Sequence, residues 1–299
     1  MPFYMFMRSI IPVRNLFIII IVLCFLAGCE KSHPPTPKGI VVLTPSLAEA
    51  VDAFRDTGAL DDNPIVAVSK YATQPQFNGL PKLDSAGSLE TIASLHPSIV
   101  FAHSADLALA ENLTKLGIKV VAHDMDTLED IRVTVRDIGE KLNQRAAAQR
   151  IIERMNQTIS GNRARFRAEQ PPKALIIVDA LDARMQQLYI AQKPAYLVAL
   201  FEGCGLDIIP IGHDAWQRIS AETLIRANPA VIVYLARSPQ DADDIRQNFK
   251  KVYPDLQAIR NNMLYIYTDP DITVPGPDIG QRQTKLCEDL KSFLGNRNP

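Results

Sequence analysis

From residue 40 onward the chain alternates short apolar runs with stretches of helical period. Residues 40–44 (IVVLT) are a β-branched run of the kind that forms a strand buried on both faces. Ser46 and Glu49 stand at capping-box spacing, which predicts a helix opening there and closing at Gly58. An apolar run follows at 65–68 (IVAV), then a Pro/Gly-rich loop at 75–87 and a helix from Ser88. A strand at 99–102 (IVFA), a helix at about 105–116 ended by Gly117, and a strand at 118–122 (IKVVA) complete the segment. That order predicts an α/β lobe over residues 40–126 with a largely parallel sheet.

Residues 127–168 carry no strand signal, and 127–170 form the expected linking segment. Leu128, Ile131, Val135, Ile138 and Leu142 hold a three-and-four spacing, and Ile151, Ile152, Met155 and Ile159 hold it again. Two linking helices are expected, the second long, ending before Pro171-Pro172. A second α/β lobe over 171–299 opens with ALIIVD at 174–179. It continues with helices at about 194–202 and 220–227, a strand at 231–235 (VIVYL) and a helix at 241–250. A strand at 263–267 (MLYIY) and a last helix from about 278 to 294 close it. One segment recurs in both halves. Ser88, Glu90, Ile92, Pro97 and Ile99 are matched by Ser220, Glu222, Leu224, Pro229 and Val231, every match at an offset of 132 residues. In each copy the Ser is a helix cap, the Glu falls in the first turn, and the Pro bars further helix before the strand. Duplicated lobes joined by helices leave a cleft where ligands commonly bind.

Residues 1–28 carry a different pattern. Arg8 and Arg14 precede an uncharged run at 16–26 (LFIIIIVLCFL), too short to cross a bilayer. Positive flank, short apolar core and small residues after it describe a secretory signal. Leu26-Ala27-Gly28-Cys29 resembles the lipobox of bacterial lipoproteins, where the Cys after the cut receives lipid. Residues 29–39 then make a polar, Pro-rich tether. The expected product is a mature chain anchored through Cys29 on the extracytoplasmic face of a bacterial membrane.

Composition narrows the function. Across 299 residues, 32 Lys+Arg face 33 Asp+Glu, which argues against a dedicated nucleic-acid binder. Four Cys and no CxxC pair give neither a disulfide scaffold nor a zinc site. No GxxxxGK[ST], post-strand GxGxxG or GxSxG occurs, so the enzyme reading has no signature behind it. His103, His123 and His213 each follow an apolar run and can reach the cleft as metal or haem ligands. No HxxxH or HExxH spacing supports that alternative, and ordinary loop histidines fit the pattern as well.

The lipobox, the paired S-x-E segments and the linking helices together resemble one family: the substrate-binding proteins of ABC importers for cobalamin, haem and ferric siderophores. The patches that carry the likeness are 42–51 (VLTPSLAEAV), 88–102 (SLETIASLHPSIVFA) and 220–234 (SAETLIRANPAVIVY). The resemblance implies two α/β lobes with mostly parallel sheets, joined by one long rigid helix, with a ligand cleft between them. It implies transport of cobalamin, haem or a ferric siderophore, delivery to a permease and ATPase complex, no catalysis, no resident cofactor, and a monomer. The cobalamin-binding members are the nearest in pattern. They place cleft aromatics where Tyr71 and Trp216 stand, and a disulfide where Cys204 and Cys287 stand. Family members use the first-turn carboxylates matched by Glu90 and Glu222 to dock on the permease. There are two departures. Asp84 stands near where those members carry a Trp, and Asp278 follows Pro275-Gly276-Pro277 where they carry an Arg.

Overall fold

A computed structural model describes residues 38–84, 89–182 and 184–295. The signal segment, Cys29, most of the tether and Ser88 lie outside them.

In the N-terminal lobe, β1 (Ile40–Val42) leads to α1 (Pro45–Asp52), β2 (Ile65–Ser69), β3 (Lys82–Leu83) and α2 (Leu89–Ser94). Then come β4 (Ile99–His103), α3 (Leu107–Lys115) and β5 (Val120–His123). All pairings are parallel, in the order β3-β2-β1-β4-β5. The β-branched runs form these strands because both faces are covered: Ile40, Val42 and Phe101 enter one core, and Val41, Val100 and Ala102 enter another. Two helices follow, α4 (Leu128–Lys141) and the 21-residue α5 (Arg145–Arg165). Thr127 and Asp130 form a capping box at the start of α4. The α4–α5 hairpin is tight because Gly139 has no side chain; a Cβ there would come within 2.5 Å of the Ala148 Cβ.

The C-terminal lobe runs β6 (Lys173–Ala180), β7 (Gln187–Ala191), α6 (Tyr196–Gly203), β8 (Asp207–Ile208), β9 (Trp216–Ser220) and α7 (Ala221–Ala227). It continues with β10 (Val231–Leu235), α8 (Asp241–Val252), α9 (Gln257–Arg260), β11 (Leu264–Tyr267) and α10 (Ile279–Gly295). The main sheet has the order β11-β10-β6-β7-β9. Unlike the first, it is mixed: β7 is antiparallel to both β6 and β9. The stretches QLYIA and WQRIS are short and half polar, so neither shows the continuous apolar run that marks the parallel strands.

The inward faces of both sheets share one core with the linking helices. Ile40 and Val42, Ile151, Ile152 and Met155, and Ala174, Ile176 and Val233 all belong to it. The described residues accordingly form one compact unit. Buried polar groups reinforce the join. Asn162 of α5 donates to the Gly280 carbonyl (3.0 Å) and to Gln283 Oε1 (3.1 Å). Gln283, with no solvent exposure, donates onward to the Leu200 carbonyl at 3.0 Å. Cys204 and Cys287 are bonded, with Cα atoms 4.8 Å apart, and tie α10 to the end of α6.

The opening of α1 differs from the sequence expectation. Thr44 is the cap, its hydroxyl accepting from the Leu47 N–H at 3.2 Å, and Ser46 lies inside the helix. Glu49 faces inward rather than back to the cap. Its carboxylate takes a bond from Arg282 of α10 at 2.6 Å, across 233 residues, and the two side chains are 7% and 18% exposed. Arg282 also donates to the Asp271 (2.9 Å) and Val274 carbonyls. Gly276 allows this approach, since a Cβ there would meet Glu49 Oε2 at 2.7 Å. Burial is the strongest influence on the Glu49 carboxyl and raises it above its ordinary value despite Arg282. No helix among the described residues is long and apolar enough to cross a membrane.

Candidate functional site

Parallel strands bring their carboxyl ends to one edge, and ligand-binding residues concentrate beyond such edges. In the N-terminal sheet that edge carries Thr44 after β1, Tyr71 after β2, His103 ending β4 and His123 ending β5. His103 and His123 are register partners, so their side chains stand on one face of adjacent strands. Opposite them the C-terminal lobe presents Val178, Tyr189, Tyr196 and Trp216. A cavity of about 380 Å³ lies between, completed by Leu47, Met125, Asp126 and Pro275. Its size is ordinary for a small-ligand site. A cavity of about 450 Å³ under α8, lined by Arg246, Lys250 and Leu264, is larger, so lining rather than volume selects the site.

The aromatic wall is built around Trp216. The antiparallel β7–β9 pairing sets Trp216 opposite Ala191 and one diagonal step from Tyr189. The Tyr189 and Trp216 rings lie stacked, 6.4 Å apart at 24°. The Tyr196 ring meets Trp216 edge-on at 6.0 Å and 69°. Tyr196 is 2% exposed and donates its hydroxyl to the Ile272 carbonyl at 3.1 Å. Burial, with a smaller contribution from Asp126, pushes that phenol far above its ordinary value, so it stays neutral. The Trp216 indole N–H donates to Asp126 Oδ1 at 2.7 Å. Asp126 lies between β5 and α4, so this bond joins the ligand wall of one lobe to the other.

The imidazole side is also anchored. His123 Nε2 lies 2.9 Å from Asp137 Oδ2, and Lys141 Nζ lies 2.9 Å from the other oxygen of that carboxylate. Burial alone would raise the Asp137 carboxyl; the bonds from Lys141 and His123 outweigh it and hold the group below its usual range. His103 sits nearer the mouth, its Nδ1 accepting from the Ala105 N–H at 3.1 Å and its Nε2 3.5 Å from Asp124.

Of the residues singled out in sequence, Trp216, His103 and His123 come together on this lining. Trp216 is the first residue of a strand, β9. Tyr71 does not join them. It is 67% exposed beside Lys70, because β2 lies on the far side of β1 from β4 and β5. His213 is exposed and outside the lining. No group of three or more His, Cys, Asp or Glu among the described residues could hold a metal ion. Asp126, Tyr189 and Tyr196 escaped sequence reasoning. Tyr189 alternates along QLYIA, but only the unrecognised hairpin makes that alternation meaningful.

Glu90 and Glu222 lie in the first turns of α2 and α7, both exposed. The Ser220 hydroxyl accepts from the Thr223 N–H at 3.3 Å and caps α7. The two carboxylates differ in partners. Arg226 reaches Glu222 at 2.6 Å along the helix, whereas Glu90 makes no ion pair among the described residues.

The chain is similar to known proteins along most of its length. It is 22% identical over 273 residues to the high-affinity heme uptake system protein IsdE of Staphylococcus aureus, spanning 85% of this chain and 88% of that one. A possible iron-binding periplasmic solute-binding protein from Staphylococcus epidermidis shares the fold, with TM-score 0.71, 18% identity and coverage of 84% of this chain and 97% of that one. The periplasmic vitamin B12 binding protein BtuF of Vibrio cholerae does too, with TM-score 0.66, 18% identity and coverage of 85% and 96%. The periplasmic binding protein family profile matches residues 40–270, and the chain belongs to that family of transport components, which are not enzymes.

Proposed function

We propose that this protein is the extracytoplasmic binding component of an ABC importer and that its ligand is haem, ahead of cobalamin or a ferric siderophore. One observation carries the choice: the cavity sets stacked Tyr189 and Trp216 rings on one wall against two imidazoles on the other. Flat apolar faces suit a macrocycle, and imidazole suits iron. The similarity to a haem uptake protein supports the same ranking, which reverses the order that the sequence pattern favoured. In this reading Tyr71 is a rim residue, reached only by a ligand that overhangs the cavity. Cys29 carries the lipid anchor.

Glu90 and Glu222 are the docking contacts to the permease. Both are exposed in equivalent positions of the two lobes, and Ile225, 56% exposed, lies on the same short helix as Glu222. An acid in a first helical turn also complements the helix dipole, worth about 0.3–1 kcal/mol. Changing both to Arg separates the roles: uptake is lost while haem affinity and thermal stability stay nearly unchanged. Ligand identity is tested by native mass spectrometry and an absorption spectrum of the protein purified from its own host. A co-purified corrin or siderophore mass in place of haem overturns the choice of ligand.

A further inference from the structure

We infer that His123 is the residue that binds the iron of the ligand, through Nδ1, with Asp137 and Lys141 fixing its tautomer and ring orientation. The inference rests on the haem reading of the cleft and assigns the metal contact within it.

Both oxygens of Asp137 are engaged, one by Lys141 Nζ and one by His123 Nε2. A carboxylate only accepts hydrogen bonds, so Nε2 carries the hydrogen. In neutral imidazole the lone pair then resides on Nδ1. No hydrogen bond to His123 Nδ1 occurs among the described residues, and the ring lines the cavity. An imidazole with one nitrogen bound to a carboxylate and the other unengaged is the arrangement typical of a metal-ligating His. The side chain is 14% exposed, against 44% for His103, so it is also the more sheltered of the two.

The other donors on the lining are less available. His103 is bracketed by the Ala105 N–H and Asp124. The Tyr196 hydroxyl is committed to the Ile272 carbonyl. The Met125 thioether, 6% exposed, and the half-buried Tyr189 hydroxyl are the remaining competitors. The lining thus offers one prepared nitrogen from the N-terminal lobe facing the aromatic wall of the C-terminal lobe.

Titration of the mature protein with ferric haem, followed by absorption and by Trp216 fluorescence, tests this. The wild type is expected to quench and to give an imidazole-ligated spectrum. His123→Ala should still quench, bind at least about 10-fold more weakly and lose that spectrum, and added imidazole should restore it. Asp137→Ala, a change in a positioning residue, should weaken haem binding by about 10–100-fold and broaden or shift the band without removing the ligand. His213→Ala, exposed and off the lining, should change nothing. An unaltered spectrum in His123→Ala with quenching retained overturns the assignment while leaving the haem reading intact. Loss of the spectrum in His103→Ala, Met125→Leu or Tyr189→Phe instead also overturns it. If the wild type neither quenches nor shifts the haem spectrum, the haem reading falls and the assignment falls with it.

Discussion

The two lobes meet on two sides, and the sides are built differently. Toward the linking helices the contacts are buried and closed. Glu49 is gripped by Arg282, Asn162 and Gln283 bond across helices, and the Cys204–Cys287 bridge pins α10. Toward the cleft the polar links are the Trp216 indole N–H and the Tyr196 backbone N–H, both to Asp126, and the Trp216 and Tyr189 rings remain partly open. Buried polar groups held by several partners favour one arrangement of the chain, since each lost partner strands a desolvated charge or amide. Exposed ring faces contribute little to folding and remain available to a ligand. The linker side should therefore govern stability and the cleft side affinity.

Removing the disulfide with paired Ser substitutions should have the largest effect. Loop closure across 83 positions predicts a loss of up to about 4.5 kcal/mol in denaturant unfolding, with haem affinity little changed. A matching loss of affinity would mean that the two sides are not separable. Glu49→Ala should come next, at about 3 kcal/mol, because it leaves the Arg282 guanidinium largely buried without its carboxylate. Glu49→Gln adds a pH signature. Burial raises the Glu49 carboxyl in the fold, so the folded state holds its proton more tightly than the unfolded chain. Relative to the Gln variant, the wild type should then lose stability as pH rises from the ordinary carboxylate value of 4.5 through the raised one. A relative gain over that window would show that the Arg282 pairing dominates the desolvation.

On the cleft side, Trp216→Ala should weaken haem binding by at least about 1 kcal/mol, roughly fivefold, with a stability loss of about 1–2 kcal/mol, below that of either linker-side change, because its bond to Asp126 goes with the ring. The smallest effect belongs to Asp126→Ala. Losing one hydrogen bond should cost about 1 kcal/mol of stability and alter the emission of Trp216, while Asp126→Asn, which keeps an acceptor oxygen, should restore the emission. Unchanged emission in Asp126→Ala would remove the bond from the account of the cleft.

The sequence was informative where structure is local or periodic. Continuous β-branched runs marked β1, β4, β6 and β10, and three-and-four spacing marked α4 and α5. The single Trp and the two cleft imidazoles, His103 and His123, were also visible as candidates. What escaped was set by distant partners. Glu49 read as half of a capping box because its spacing from Ser46 is local, whereas Arg282 lies 233 residues away. Asp137 carries no signal of its own in the sequence, because its partner His123 comes beside it only through the end of β5. Tyr71 and Trp216 both stand where the cobalamin-binding members carry cleft aromatics. Strand order separates them: β2 lies outside β1, away from the imidazole-bearing strands.

The Arg226 clasp on Glu222 bears on how an encounter with the permease would unfold in time. A carboxylate already shared with a guanidinium projects little field, while Glu90 presents its full charge. If both dock as proposed, long-range attraction to a basic partner acts first on the N-terminal lobe, so replacing Glu90 slows association. Glu222 engages later, once Arg226 has turned aside, so its replacement shortens the lifetime of the complex instead. Removing Arg226 alone would equalise the two lobes and raise the association rate, most visibly at low ionic strength.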